Sequence, residues 1–83
     1  MQLNGFFLVK RKIKEELRSF EIEGRQIPLI LRRHPYAQRM ILRLNIDGDG
    51  AVITIPMNAS SADAFDLVRR KSHWLYHQMN KLG

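Results

Sequence analysis

An α+β fold is predicted by three features of this 83-residue sequence. Apolar and polar residues alternate with a period of two in short runs between residues 20 and 55, the mark of half-buried strands. Toward the C-terminal end the apolar residues recur every three or four positions, as one face of a helix requires. Between the runs lie Gly24, Pro35, the Asp47-Gly48-Asp49-Gly50 string and Pro56, all suited to turns. The expectation is a small antiparallel sheet of three or four strands. A long C-terminal helix packs on one face, and an amphipathic helix precedes the sheet.

Residues 1–20 carry Phe6, Val9, Ile13, Leu17 and Phe20 at helical spacings, with Lys10, Arg11, Lys14, Glu15 and Arg18 on the other faces. They read as an amphipathic helix or tail, capped by nothing better than Asn4. Such a helix packs on its own domain or docks another protein. Its acidic residues blunt attraction to anionic lipid. Residues 21–83 then form a single sheet-plus-helix domain.

Within that domain Phe20-Glu21-Ile22-Glu23 and residues 26–32 read as strands joined by Gly24-Arg25, a two-residue hairpin signal. Pro28 cannot donate a ladder hydrogen bond, so its nitrogen belongs at an edge or a strand start. Pro35 forces His34 into an extended geometry and makes Arg33-His34-Pro35-Tyr36 a turn. A third strand over residues 39–46 alternates Met40, Leu42, Leu44 and Ile46 with Arg39, Ile41, Arg43 and Asn45. The Asp-Gly-Asp-Gly string is too short for an EF-hand loop and lacks its closing Glu, so it reads as a hairpin turn. It leads into Ala51-Val52-Ile53-Thr54-Ile55, which Pro56 ends. Ser60 or Ser61 caps the long helix, with Asp63 placed as in a capping box. Phe65, Val68, Ser72, Leu75, Met79 and Leu82 form its buried stripe. Trp74 lies beside the stripe, where it covers the sheet edge or stays half exposed for a second domain.

Composition narrows the function classes. A net charge of +6 and a pI near 10.3 favour acidic partners, nucleic acid among them, but the excess is spread along the chain. There is no cysteine, hence no disulfide and no thiolate metal site. No apolar run approaches the ~20 residues of a membrane span, and Phe6-Phe7-Leu8-Val9 is too short for a signal-peptide core. A cytoplasmic protein is expected.

Chemistry is scarce. The sequence has no glycine-rich phosphate loop, no nucleophile elbow and no carboxylate pair flanking a cleft. His73 and His77 have the four-residue spacing by which two imidazoles share a zinc ion. In a zincin helix the residue after the first histidine is the glutamate base, and here it is Trp74. His34 sits far off on the basic turn, so a surface histidine pair is the simpler reading. No cofactor, metal or catalytic residue is expected.

The arginines are the stronger candidates. Arg32, Arg43 and Arg39 are expected on neighbouring strands, with Arg33 on the adjoining turn. Like charges side by side disfavour folding unless paired or solvated. Glu21 and Glu23 can neutralise them. Alternatively, the guanidinium groups bind phosphates of a nucleic acid in forks.

One stretch ties these elements together: Leu31-Arg32-Arg33-His34-Pro35, Ala37, and Arg39-Met40-Ile41-Leu42-Arg43. With Gly24 before it and Gly50, Ile53-Thr54-Ile55-Pro56, Ser60, Ala64, Phe65, Val68 and Trp74 after it, the order resembles the N-terminal region of the YgjP-like zinc metallopeptidases. The resemblance covers residues 21–82 and leaves residues 1–20 outside. It implies a sheet-and-helix platform that precedes a catalytic part carrying His-Glu-x-x-His and a further histidine. None of those positions exists here, so no catalytic or metal role carries over. The sequence thus points to a non-catalytic module that packs on a catalytic domain or presents a partner or substrate. A basic nucleic-acid-binding module using Arg32, Arg33, Arg39 and Arg43 is the alternative.

Overall fold

The computed structural model describes residues 13–82, and the element order is four strands followed by two helices. The strands are β1 (Lys14–Ile22), β2 (Arg25–His34), β3 (Ile41–Leu44) and β4 (Ala51–Pro56). The helices are α1 (Ser61–Arg70) and α2 (Ser72–Leu82). The sheet order is β1-β2-β4-β3. The α+β class is as expected, but the sheet is mixed rather than antiparallel.

Each departure has a local cause. β1 and β2 form an antiparallel hairpin through Glu23 and Gly24, at φ 53° and 79°. Two successive positive φ values match the right-handed twist of the flanking strands, which Gly24 makes easy. β3 and β4 form a second hairpin, closed where the Asn45 amide donates to the Gly50 carbonyl at 2.8 Å. β4 then slots between β3 and β2 and runs parallel to β2, with Leu29 beside Ala51 and Leu31 beside Ile53. Its near-continuous apolar run suits an interior strand, flanked and covered more fully than its neighbours. Gly50 permits the insertion: a Cβ there would stand 2.5 Å from the Pro28 carbonyl oxygen.

The predicted N-terminal helix fails over the residues that can be seen. Lys14–Ile22 is a strand, and residues 1–12 lie outside the described residues. Pairing with β2 overrides the helical spacing of Ile13, Leu17 and Phe20, and Leu17 ends up 76% exposed. The predicted third strand is also shorter, because Ile46 stands at the hairpin tip, 94% exposed.

The long helix is two. Ser60 caps α1, its Oγ accepting from the Ala62 and Asp63 amides at 3.0 and 3.4 Å. At Lys71 the backbone leaves helical values, and its amide is shared between the Leu67 and Val68 carbonyls. Such a tightened turn lets the axis shift without losing the ladder. The buried stripe survives the break as Ala64 and Val68, then Leu75 and Met79. Together with Ile22, Ile27, Leu29, Leu31, Ile53 and Ile55 it forms one core between the sheet and the helices. Phe65, Leu42 and Leu44 pack half-buried against that core. The other face of the sheet has no helix on it among the described residues.

Candidate functional site

Strand register sorts the arginines before any side chain is considered, since successive residues point to opposite faces. Leu29 and Leu31 face the helices, so Arg33 does too, while Arg32 faces the open side. The two cannot act as one patch.

Arg33 is occupied. One terminal nitrogen donates to the Met57 and Ala59 carbonyls at 3.1 and 2.6 Å, and the other reaches Ser61 Oγ at 3.2 Å. It thereby fastens the turn between β4 and the start of α1. A planar guanidinium suits this task because its donors diverge at fixed angles.

Arg32 is paired as well. Its Nε donates to Glu15 Oε2 at 2.6 Å across the β1–β2 register. Helical spacing places Glu15 on the N-terminal helix, so Glu21 and Glu23 are the carboxylates expected beside the arginines, and the strand pairing supplies Glu15 instead. Arg43 shares the open face but lies two strands away, beside Val52, because β4 intervenes. Arg39 is exposed in the connection before β3. Among the described residues neither Arg39 nor Arg43 has a carboxylate partner.

The open face has a definite pattern. Glu15 and Glu21 line its β1 edge and Arg43 its β3 edge. Between them run Leu17, Ile30 and Val52 in one row, and Arg32, Thr54 and Ile41 in the next. The face therefore balances two carboxylates against two guanidinium groups.

A second feature lies on the helix side, next to β3. Met40, Leu42, Leu67 and Trp74 line an apolar groove of about 320 Å³, with Lys71 at its rim. Trp74 is 43% exposed there. The ring is thus half-exposed and not buried in the core. The far side of the ring borders a shallow hollow with Arg70, Lys71, His77 and Lys81. Arg70 is held by Asp66, which also takes Arg69. Lys71 and Lys81 have no such partner among the described residues.

The histidines do not converge. His73 and His77 stack edge to face on the exposed side of α2, with ring centroids 4.9 Å apart. His34 is at the end of β2, where its Nδ1 accepts from the Tyr36 amide at 3.2 Å. Among the described residues no three histidine or carboxylate side chains come together as metal ligands. Nor is any described helix long and apolar enough to cross a membrane.

Comparison with known proteins finds no matching family model, no similar curated protein and no matching solved structure.

Proposed function

We propose that this chain is a non-catalytic module that packs against a partner protein, in the manner its likeness to the N-terminal region of YgjP-like metallopeptidases implies. The observation that carries this reading is the half-exposed Trp74 on an apolar groove with Met40, Leu42 and Leu67. A large aromatic ring beside an unfilled apolar recess is the usual form of an interface anchor. Lys71 at its rim, with Lys81 in the adjoining hollow, favours a partner with acidic residues around an apolar contact.

Trp74 is the one tryptophan of the chain, so its fluorescence reports the groove directly. The test is titration with a separately expressed His-Glu-x-x-His half of a YgjP-like peptidase. A blue shift and a one-to-one complex are expected, and Leu67→Asp should abolish both. Peptide cleavage by this chain alone would overturn the reading.

The nucleic-acid reading draws on the net charge and on Arg39 and Arg43. It is weakened by the pairing of Arg32 with Glu15 and by the position of Arg33 on the other face. A phosphate-bound module should lose affinity with salt at a slope of roughly −0.9 per contact. We expect only weak, sequence-indifferent binding at physiological salt. Submicromolar affinity for duplex DNA or RNA there would reverse the preference.

A further inference from the structure

We propose that the open face of the sheet pairs with the same face of a second copy of this chain, about a twofold axis running along the strands. The inference goes beyond the groove reading and uses the opposite side of the molecule.

A sheet face that no other described residues cover, with Leu17 at 76%, Ile13 at 42% and Ile41 at 38% exposure, leaves apolar side chains in water. What selects a second copy as its cover is the distribution of charge. The face is acidic along β1, through Glu15 and Glu21, and basic along β3, through Arg43. A twofold axis parallel to the strands lays β1 of one copy over β3 of the other. Glu15 on the β1 edge of each copy then meets the Arg43 edge of the other, twice, by symmetry. An axis perpendicular to the strands would stack acid on acid, so the charges also choose the orientation. A polyanion has no use for the Glu15 and Glu21 column.

The register brings the needed groups close. Glu15 lies in the row of Ile41, and Arg43 in the adjacent row of Leu17. Across the interface Glu15 therefore lies diagonally opposite Arg43 of the second copy, within the reach of a long side chain. Glu15 Oε2 is held by Arg32, and no described residue donates to its other oxygen. Leu17, Ile30 and Val52 would form the dry centre. Aligned sheets pack about 10 Å apart with a rotation of about 30°, which the sheet twist supplies. Four strands spaced ~4.8 Å apart give a footprint of roughly 400 Å² per copy. That is small for a specific interface, so association should be weak and concentration dependent.

Sedimentation equilibrium of the full chain should show the mass rising from 9.8 kDa toward twice that value with concentration, up to roughly 500 µM. Leu17→Lys, Arg43→Glu and Glu15→Arg should each remain monomeric over the same range. All three positions are exposed, and far-UV circular dichroism would verify that the fold is kept. Mixing the Arg43→Glu and Glu15→Arg chains should restore a dimer, because both cross-pairs then join opposite charges. A wild-type chain that stays monomeric throughout would sink the proposal. So would a dimer indifferent to Arg43→Glu, which would mean edge pairing through β1, or a mixture that fails to recover. Trp74→Ala should leave the dimer intact, which separates this result from the fate of the groove.

Discussion

The two faces of the sheet are built from the same strands and obey opposite rules. On the helix side Leu29, Leu31, Ile53 and Ile55 are almost wholly buried beneath Ala64, Val68, Leu75 and Met79. Arg33, a charged side chain of β2 that turns toward that side, has three hydrogen bonds waiting for it. On the open side apolar and charged residues alternate within a few ångströms of water. The one close pair there, Arg32 with Glu15, is roughly half exposed on both sides. Burial makes every atom on the first face costly to change. Exposure leaves the second face free to carry recognition, and the same residue types mean different things on the two.

The widest gap between the faces should appear in leucine truncations. Leu75→Ala removes a fully buried side chain and should cost ~2–5 kcal/mol in urea unfolding. Leu17→Ala on the open face should change stability by less than ~0.5 kcal/mol when measured on dilute, monomeric protein. Equal losses would mean that the open face is covered in the monomer.

Gly50 tests the junction between the central strands. A methyl group there must displace the Pro28 backbone, not a flexible side chain. Gly50→Ala should therefore destabilise by ~1–3 kcal/mol, in the range of overpacked sites. An unchanged midpoint would imply that β2 and β4 separate more easily than their register suggests.

Much of this division was readable from the amino acids, and its limits are instructive. The Gly24 hairpin, the Ser60 cap and the apolar run over residues 51–55 follow from chemistry within a few residues. So does the buried stripe of Val68, Leu75 and Met79, because helical spacing survives a one-residue break. The parallel pairing of β4 with β2 does not follow, since it depends on contacts more than twenty residues apart. Residues 14–20 show the limit most clearly. Their three- and four-residue spacing favours a helix in isolation, and pairing with β2 decides otherwise. That misreading hid Glu15, and with it the partner of Arg32. For the candidate site, sequence supplied Trp74 and the arginines as residues of interest. Which arginine faces which way needed the register, and the groove needed Met40 and Leu67 brought together from different elements.

Adjacent arginines give a sharper contrast than the leucines, because residue type is held constant. Arg33→Met leaves the Met57 and Ala59 carbonyls without their donor in a half-buried setting. A hydrogen bond to a charged group contributes about 1.5–3 kcal/mol net of exchange with water, and this site is only partly buried, so a loss of ~1–3 kcal/mol is expected. Lysine should rescue only part of it, since one ammonium cannot reproduce the diverging fork. Arg32→Met, one residue away, should lose less than ~1 kcal/mol, as exposed ion pairs do. Reversal of that order would mean that the two side chains have been assigned to the wrong faces.

The smallest expected effect bears on the open face itself. A double-mutant cycle on Glu15 and Arg32 should return a coupling of ~0.2–1 kcal/mol at low salt. Screening should shrink that value as ionic strength rises, because the Debye length falls to ~3 Å at 1 M. The 2.6 Å contact is short, yet both partners keep much of their hydration, and attraction in water largely offsets the entropy of holding two long side chains. The cycle should be run at two protein concentrations. Below the dimerisation range it reports the pair within one copy. Above it, removal of Glu15 also removes the partner of Arg43 in the second copy, so the apparent coupling should grow. A coupling that is large and independent of both salt and concentration would require a dry environment around Glu15 within the monomer. The open face would then no longer be open, and its contrast with the helix-covered face would disappear.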